Sequence, residues 1–290
     1  MKRLVSFAAT AAVSAIASAS ALTDAFVAEA RAKYPTAAYS QYTNSVLNEA
    51  RFRKWEGRAD LPPGETVRWI AVEGTCNFRD IGGWNGLNTG LVYRGAEPNC
   101  RPNPNPKKYH NLVLTEKDAE TLKALGIRTD LDLRSSGESP TPNETPVPGA
   151  KLVRLSCSAY TNFVKNTAMA AKLLRVFADR SNYPIYFHCY GGADRTGSLA
   201  FLLEGLCGVA EEDLSIDYEL TSFSRIGRRS RKSPPYAFAP MVAAFKSRPG
   251  ATLRDKIEHY VVNECGLSRE EVEAIRSILC GPSLGQGAAR

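Results

Sequence analysis

Short apolar runs alternate with longer amphipathic runs along most of the chain. Five of the short runs are rich in β-branched and aromatic residues and are bounded by turn residues, which is the pattern of strands. These predicted strands are residues 67–72, 91–93, 127–133, 151–155 and 184–189. The last run is short, continuous and apolar, and two glycines follow it closely, so we place it at the centre of the sheet.

Helical patterns occupy the intervals between these runs. Thr115 is a predicted N-cap with Asp118 three residues later in an approximate capping arrangement, and Gly126 occupies a predicted C-cap. The other helical segments are residues 167–180, residues 196–206 and two closing helices, of which the last begins at Ser268. Alternating strands and helices predict an α/β fold, a three-layer sandwich whose central, mostly parallel sheet is flanked by helices. In such a fold the functional site lies at the carboxyl end of the sheet.

The first 21 residues have the pattern of a secretory signal peptide. Lys2 and Arg3 precede an apolar run over residues 4–16, and residues 19–21 form a small-residue cleavage site. The run is too short to span a bilayer, and no other stretch reaches the roughly 20 apolar residues that a membrane helix needs. We therefore expect a secreted or periplasmic protein without a transmembrane segment. The predicted organisation is a signal peptide over 1–21, a helical N-terminal extension over 22–65 and one main domain over 66–290.

The composition is that of an ordinary soluble globular protein, with 43% hydrophobic and 23% charged residues among 290. The formal net charge of +7 suits an anionic ligand. The densest basic run, residues 225–232, contains no aromatic residue on which a nucleic-acid base could stack. We therefore predict no nucleic-acid partner.

Seven cysteines and three histidines restrict the metal and disulfide chemistry of the chain. No C-x2-C pair is present and imidazoles are few, so we predict no metal site and no cofactor. If Cys189 is a free thiol, six cysteines remain, and six allow about 15 pairings into three disulfides. We expect Cys265 to pair with Cys280, because the two flank a predicted helical hairpin.

The segment His188–Gly197 places a cysteine between the buried predicted strand and a helix. Gly191 and Gly192 let the backbone curl, so that successive N–H groups form a concave anion site at the positive end of the helix. The same field lowers the pKa of Cys189 and favours the thiolate, which is the nucleophilic form. Arg195, six positions after the cysteine, offers a planar fork for two phosphate oxygens.

This arrangement predicts two-step covalent catalysis on a phosphate monoester. Cys189 attacks phosphorus, the departing oxygen is protonated, and water then hydrolyses the cysteinyl-phosphate. The Thr196 hydroxyl is placed to donate a hydrogen bond to the sulfur as it leaves. We therefore assign catalysis to Cys189 and Arg195, and substrate binding to Tyr190, Gly191, Gly192, Ala193 and Thr196.

The segment His188–Gly197 resembles the H-C-x-x-G-x-x-R-[ST]-G signature of the protein-tyrosine phosphatase superfamily. Further motifs are similar to a bacterial branch that hydrolyses phosphotyrosine and, in some members, phosphoinositides. They are N-F-R-D-I-G-G at 77–83, Tyr93-Arg94, Leu125-Gly126-Ile127 leading into Asp132-Leu133-Arg134, and Asp217-Tyr218. The resemblance covers roughly residues 66–280. It implies a cysteine-dependent protein-tyrosine or dual-specificity phosphatase that acts on a phosphorylated substrate.

Two positions depart from that family. Members with lipid activity usually carry lysine where this chain has Ala193, and the family's acid, an aspartate, is missing from residues 157–160. We therefore predict Asp194 as the proton donor, because a carboxyl group facing a closed anion site favours its protonated form. We predict supporting roles for His188, Asp80 and Asp132. These roles are orienting the loop, forming turns and pairing with arginines.

Three other readings stay open from the sequence. The first is an inositol-polyphosphate (phytate) or phosphoinositide phosphatase, for which residues 225–232 would contact further phosphates. The second is a sulfurtransferase, or an arsenate reductase that uses Cys157 or Cys207 as its resolving cysteine. The third is a phosphate-binding protein without turnover.

Overall fold

Five short strands form one mixed sheet in the order β1-β2-β5-β3-β4. All neighbouring pairs are parallel except β1 and β2, which are antiparallel. The strands are β1 (Arg79–Asp80), β2 (Val92–Gly95), β3 (Thr129–Asp132), β4 (Lys151–Arg154) and β5 (Ile185–His188). This computed structural model describes residues 74–84, 86–98, 113–139, 143–221 and 236–281, together with Ile70, Val72, Ser224, Ile226 and Arg229.

Helices follow most of the strands and close the described part of the chain. They are α1 (Glu116–Ala124), α2 (Tyr160–Lys165), α3 (Thr167–Ala178), α4 (Asp194–Leu206), α5 (Glu211–Leu220), α6 (Phe238–Lys246), α7 (Leu253–His259) and α8 (Arg269–Cys280). Short 3-10 turns cover Ser136–Glu138 and Arg180–Asn182, and a π-helical turn over Tyr260–Glu264 extends α7. None of the described helices is both long and apolar enough to cross a membrane.

Most of the predicted elements are present within a few residues of their predicted bounds. Thr115 and Ser268 form the expected capping boxes, and Gly126 after α1 has a φ of 65°. The predicted signal peptide and N-terminal extension lie outside the described residues. Only Ile70 and Val72 of the predicted strand 67–72 are described, and neither is in a strand.

Four elements of the structure were not predicted. The two-residue strand β1 and the short helix α2 were not expected, because neither is long enough to establish a period in the sequence. Four helices, rather than two, follow α4 in the described residues. The helix α6 was not predicted because it contains Pro240. This proline lies in the first helical turn, where it is tolerated because no intrahelical N–H bond is lost.

The side chains of β5 alternate between two hydrophobic clusters on opposite faces of the sheet. Ile185 and Phe187 belong to the larger cluster, which includes residues of α3 and α4. Tyr186 belongs to the smaller cluster, together with Leu122 of α1. Because successive strand residues point to opposite faces, helices cover both faces of the sheet. The predicted three-layer α/β sandwich is therefore confirmed.

The carboxyl ends of four strands lie at one level of the sheet. Gly95, Asp132 and His188 are in register across β2, β3 and β5, and Arg154 of β4 pairs with Asp132. The loops that follow these strands therefore emerge at the same edge. The central strand β5 delivers Cys189 to the middle of that edge.

A buried ion-pair cluster joins α5 to the edge of the sheet beside β5. Asp217 of α5 binds Arg79 through Nε at 2.9 Å and also binds Arg94. All three side chains are almost completely buried. Burial lowers the pKa of Arg79 to about 10, Arg94 adds repulsion, and Asp217 offsets part of the effect. Asp217 therefore binds both buried guanidinium groups, and the charge of Glu204 adds a smaller contribution at Arg79.

Replacing Asp217 with asparagine is expected to destabilise the fold by about 3 kcal/mol or more, because two buried cations lose their counter-charge. Urea denaturation measures the change. Glu271→Gln is the matched control, since it removes the half-exposed Arg175–Glu271 pair and retains a capping side chain. We expect it to cost less than about 1 kcal/mol. Equal losses in the two variants would contradict the assignment.

Candidate active site

The loop between β5 and α4 forms the floor of a pocket of about 340 Å³. Cys189 is only 3% exposed and lies where the strand ends. The lining residues come from this loop, from the first turn of α4 and from two other segments: Glu138, Cys189, Tyr190, Gly191, Asp194, Arg195 and Arg229. Four of these seven residues carry charged side chains.

Gly192 allows the loop to pack against the end of β2. Its φ is +63°, a left-handed conformation that side chains other than glycine rarely adopt. A Cβ atom at this position would lie 2.2 Å from the backbone carbon and oxygen of Gly95. Both the conformation and the close approach therefore require glycine.

Side chains outside the loop bind its carbonyl groups. The Asn77 amide donates to the carbonyl oxygens of Gly191 and Gly192 at 3.2 and 3.0 Å, and Arg94 donates to Gly192 at 2.9 Å. Arg79 in turn donates to the Asn77 carbonyl at 3.2 Å. These bonds satisfy two carbonyls of the loop from outside the pocket, and a loop whose carbonyls are bound elsewhere can present N–H groups to an anion.

The Cys189 thiol is shifted toward its thiolate form. Burial alone would raise its pKa, but the positive charge of Arg195 and the hydroxyl and N–H groups of Thr196 outweigh it, so the pKa is lowered. The Thr196 hydroxyl is buried and has no other hydrogen-bond partner among the described residues. It is therefore left to interact with the sulfur, as the sequence led us to expect.

Glu138 holds the guanidinium group of Arg195. Its two carboxylate oxygens accept from Nη1 and Nη2 of Arg195, both at 2.9 Å. This hydrogen bonding is the main reason that the pKa of Glu138 falls to about 2. Sequence reasoning missed Glu138. The available signal was its position three residues after Ser135, with which it forms a capping box at the start of a 3-10 turn.

The Asp194 carboxylate is held by two groups from other parts of the chain. Arg229 donates through Nε at 2.8 Å and Nη2 at 3.1 Å, and the Tyr160 hydroxyl donates to the same carboxylate. Burial lowers the pKa of Arg229, but the hydrogen bond and charge of Asp194 outweigh burial and raise it. The Arg229 guanidinium also stacks on Tyr236 at 3.9 Å from the ring centroid. Asp194 thus lines the pocket in a bidentate ion pair.

Tyr160 comes from the segment where the acid of related phosphatases was expected and not found. Its φ of 57° is unusual for a bulky side chain, and its N–H donates to the Ser198 hydroxyl at 2.7 Å. Its hydroxyl also lies 2.8 Å from that of Tyr218. The segment after β4 therefore reaches the pocket through a phenol that contacts Asp194.

The comparisons with known proteins agree with this geometry. The profile of the Tyrosine phosphatase family matches residues 70–281. The chain belongs to this family. A curated relative from Cupriavidus necator, provisionally named a tyrosine-protein phosphatase, is 25% identical over 181 residues. That match covers 51% of this chain and 61% of the relative.

Among solved structures, the core catalytic domain of the PP-IP phosphatase SIW14 from S. cerevisiae is similar at 20% sequence identity. The match covers 65% of this chain and 87% of that domain, with a TM-score of 0.37.

The predicted substrate-binding residues of this family member differ in their access to the pocket. Tyr190 and Gly191 line it. Gly192, Ala193 and Thr196 are buried, and Ala193 is only 1% exposed. The methyl group of Ala193 thus lies in the protein interior. Gly192, Ala193 and Thr196 can therefore bind an anion only through their backbone N–H groups or the Thr196 hydroxyl.

His188 lies beside the nucleophile but is not among the pocket-lining residues. Its Nε2 atom is 2.9 Å from Asp130, and its Nδ1 atom is 3.3 Å from the Cys189 carbonyl oxygen. Burial is the largest single effect and lowers the pKa of His188, but the charge and hydrogen bond of Asp130, together with the charge of Asp132, outweigh it, so the net shift is upward. These contacts fit the predicted role of orienting the loop.

Asp80 and Asp132 likewise do not line the pocket. Asp80 accepts from the N–H groups of Gly82 at 2.7 Å and Gly90 at 2.5 Å, which fixes a turn. Asp132 accepts from Arg134 at 2.9 Å and from Arg154 at 2.8 Å. Both carboxylates thus make turns and ion pairs at the sheet edge, which are the contacts expected of supporting residues.

The expected pairing of Cys265 with Cys280 is wrong. Cys265 interacts with the Tyr260 hydroxyl, whereas Cys280 shares a hydrogen bond with Cys207. The six described cysteines are all free thiols. Cys207 ends α4 at the opposite end from the loop, about 18 Å along the helix axis, so it is too far away to resolve Cys189.

Replacing Gly192 with alanine is expected to destabilise the protein by about 3 kcal/mol or more, because the new methyl group meets the Gly95 backbone. Gly126→Ala is the matched control, since its φ of +65° is nearly the same and nothing lies within 4 Å of the new Cβ. The control should cost about 1 kcal/mol. Urea denaturation measures both, and equal costs would exclude the close approach as the cause.

Proposed function

We propose that this phosphatase hydrolyses phosphotyrosine through a cysteinyl-phosphate intermediate. The observation that carries the proposal is the position of Cys189 at the floor of the pocket, with its thiolate favoured by Arg195 and Thr196. A sulfur at the floor of a pocket is reached most readily by a phosphate on a long, narrow aryl group. In-line attack of the thiolate breaks the bond between phosphorus and the phenolic oxygen.

Arg195 is pre-oriented to bind the transferring phosphoryl group. Glu138 occupies one N–H of Nη1 and one of Nη2, and the Leu133 carbonyl oxygen lies 3.4 Å from Nη1. A guanidinium group has five N–H donors, so the edge formed by Nε and Nη2 retains two. Two parallel N–H groups match two phosphate oxygens. Glu138 thus fixes the orientation of the fork and leaves its other edge for substrate.

The charges of the pocket wall favour a single phosphate group. Among the described residues of the wall, Arg195 and Arg229 are matched by Glu138 and Asp194, so their charges are balanced before the thiolate is counted. Ala193 adds no cation. One phosphate dianion would meet the loop N–H groups and the helix N-terminus, whereas further phosphates would face two carboxylates. A tyrosine monoester satisfies this balance better than an inositol polyphosphate does.

Arg229 is the observation that favours the second candidate, an inositol-polyphosphate phosphatase. It belongs to the basic run 225–232 and it lines the pocket. Its Nε and Nη2 donors are already bound to Asp194, and its guanidinium stacks on Tyr236. Binding a second phosphate would have to compete with this ion pair, which is why we rank phytate below phosphotyrosine.

Asp194 is our proposed proton donor. It lines the same pocket as Cys189, so its carboxyl group is near the oxygen that leaves. Arg229 and Tyr160 hold this carboxyl group in place. From this position it would give its proton to the departing oxygen. After transfer, the carboxylate is in place to accept a proton from the attacking water.

Asp194→Asn tests this role. We expect it to reduce turnover of an alkyl phosphate about 100-fold or more, because a poor leaving group needs the proton. Turnover of p-nitrophenyl phosphate should fall far less, since p-nitrophenolate leaves without help. Steady-state kcat on both substrates is the measurement. Equal losses on the two substrates would exclude Asp194 as the acid.

A comparison of wild type with Cys189→Ser tests both the covalent chemistry and the substrate preference. Wild type should release phosphate from phosphotyrosine peptides faster than from phytate or a phosphoinositide, and Cys189→Ser should lose essentially all turnover. A rapid burst of p-nitrophenol from wild type, absent in the variant, would separate a covalent enzyme from a phosphate-binding protein. A preference for phytate would overturn the substrate proposal while leaving the covalent mechanism intact.

We also propose that the chain is exported to the periplasm or the cell exterior. Lys2 and Arg3, the apolar run 4–16 and the small residues at 19–21 support this proposal. Cleavage after residue 21 would leave the extension over 22–65 at the new N-terminus. N-terminal sequencing of the mature protein from a culture supernatant or periplasmic extract tests it.

A further inference from the structure

Two thiols meet at the end of α4 that is remote from the pocket. Cys207 is the C-cap of α4, and Cys280 is the last residue of α8. The two helix ends are joined by Arg276, which lies one turn before Cys280 and donates through Nε to the Leu206 carbonyl at 3.1 Å. Leu206 immediately precedes Cys207 in the chain. The thiols of Cys207 and Cys280 are hydrogen-bonded to one another.

The surroundings of the two sulfurs shift their pKa values in opposite directions. The hydrogen bond from Cys207 lowers the pKa of Cys280, and the positive charges of Arg254 and Arg276 act in the same direction. The same hydrogen bond, together with burial, raises the pKa of Cys207. Cys280 is half-buried rather than enclosed. Cys280 is therefore the thiolate that an external disulfide would meet first.

We propose that Cys207 and Cys280 form a disulfide that ties the phosphate-loop helix α4 to the terminal helix α8. The oxidant is a disulfide, either a thiol oxidoreductase in its oxidised form or oxidised glutathione. The Cys280 thiolate attacks one sulfur of the oxidant, which forms a mixed disulfide and expels the other sulfur as a thiolate. Cys207 then loses its proton and attacks the Cys280 sulfur, which expels the second thiolate. Two protein thiols are oxidised and one oxidant disulfide is reduced to two thiols.

The contacts of the other described cysteines favour this pair over them. Cys265 interacts with the Tyr260 hydroxyl, and Cys157 is buried. Cys189 lies at the pocket floor, far along α4 from the pair. The bond would close a long loop that contains α5, α6 and α7. Closing such a loop restricts the unfolded chain, so the oxidised protein should be the more stable form.

The test uses the full chain carrying Cys189→Ser, so that the nucleophile cannot react with the oxidant. After incubation with oxidised glutathione, peptide mapping without reductant should recover Cys207 linked to Cys280. The midpoint of thermal unfolding should rise by about 5–10 °C over the dithiothreitol-treated sample. Additional Cys207→Ala and Cys280→Ala substitutions should abolish the rise, whereas Cys265→Ser, the matched control, should leave it unchanged.

Three outcomes would overturn the proposal. They are recovery of Cys280 linked to a different cysteine, complete alkylation of Cys207 after oxidation, and a thermal shift that persists in the Cys207→Ala/Cys280→Ala protein. A second measurement checks that the double alanine variant is folded. With Cys189 restored and the protein reduced, the double alanine variant should hydrolyse p-nitrophenyl phosphate as fast as wild type, since neither cysteine lines the pocket. The disulfide proposal and the phosphatase proposal can thus be refuted independently of one another.

Discussion

Arg94 links the buried ion-pair cluster to the loop between β5 and α4, which carries Cys189. One end of its guanidinium group binds the buried carboxylate of Asp217, and Nη2 donates to the Gly192 carbonyl at 2.9 Å. Asp217 belongs to α5, Arg94 to β2, and Gly192 to the loop after β5. A loop that offers its N–H groups to an anion must have its carbonyls bound elsewhere, because unsatisfied buried carbonyls are costly. The buried cluster supplies those donors, which explains why so much charge is enclosed at the edge of the sheet.

In the described part of the pocket wall, each arginine is matched with a carboxylate. Arg195 is held by Glu138, and Arg229 is held by Asp194. This arrangement lets the site carry arginines close to a thiolate without a large excess of positive charge when no substrate is bound. It also fixes the orientation of each planar fork, so that less side-chain entropy is lost when phosphate binds. Specificity for a monoester then depends on the loop N–H groups and one edge of Arg195 rather than on a general attraction for anions.

The sequence predicted what is local and missed what depends on contacts between distant segments. The strand, glycines, arginine and helix around Cys189 lie within one short stretch, so their order alone predicts the loop and the central strand. Glu138, Tyr160 and Arg229 reach the site from 57, 34 and 35 residues away, respectively, along the chain. Their local patterns, including the capping position of Glu138 after Ser135, are shared by exposed turn, helix-start and basic-run residues, so they do not point to a site. The Cys265–Cys280 expectation failed for the same reason, since spacing along the chain does not report which helix ends meet.

The fold also separates two kinds of cysteine chemistry along a single helix. The N-terminal end of α4 favours the Cys189 thiolate through the helix dipole, Arg195 and Thr196, and a thiolate is the form that oxidants attack. Cys157 interacts electrostatically with Cys189, but burial holds it as a thiol, so it is a poor nucleophile toward an oxidised Cys189. At the C-terminal end of α4, the thiols of Cys207 and Cys280 are hydrogen-bonded to one another, and both residues are partly exposed. The cross-link that we propose there uses two sulfurs that lie about 18 Å along the helix from the phosphate site, so its formation does not consume the Cys189 thiol.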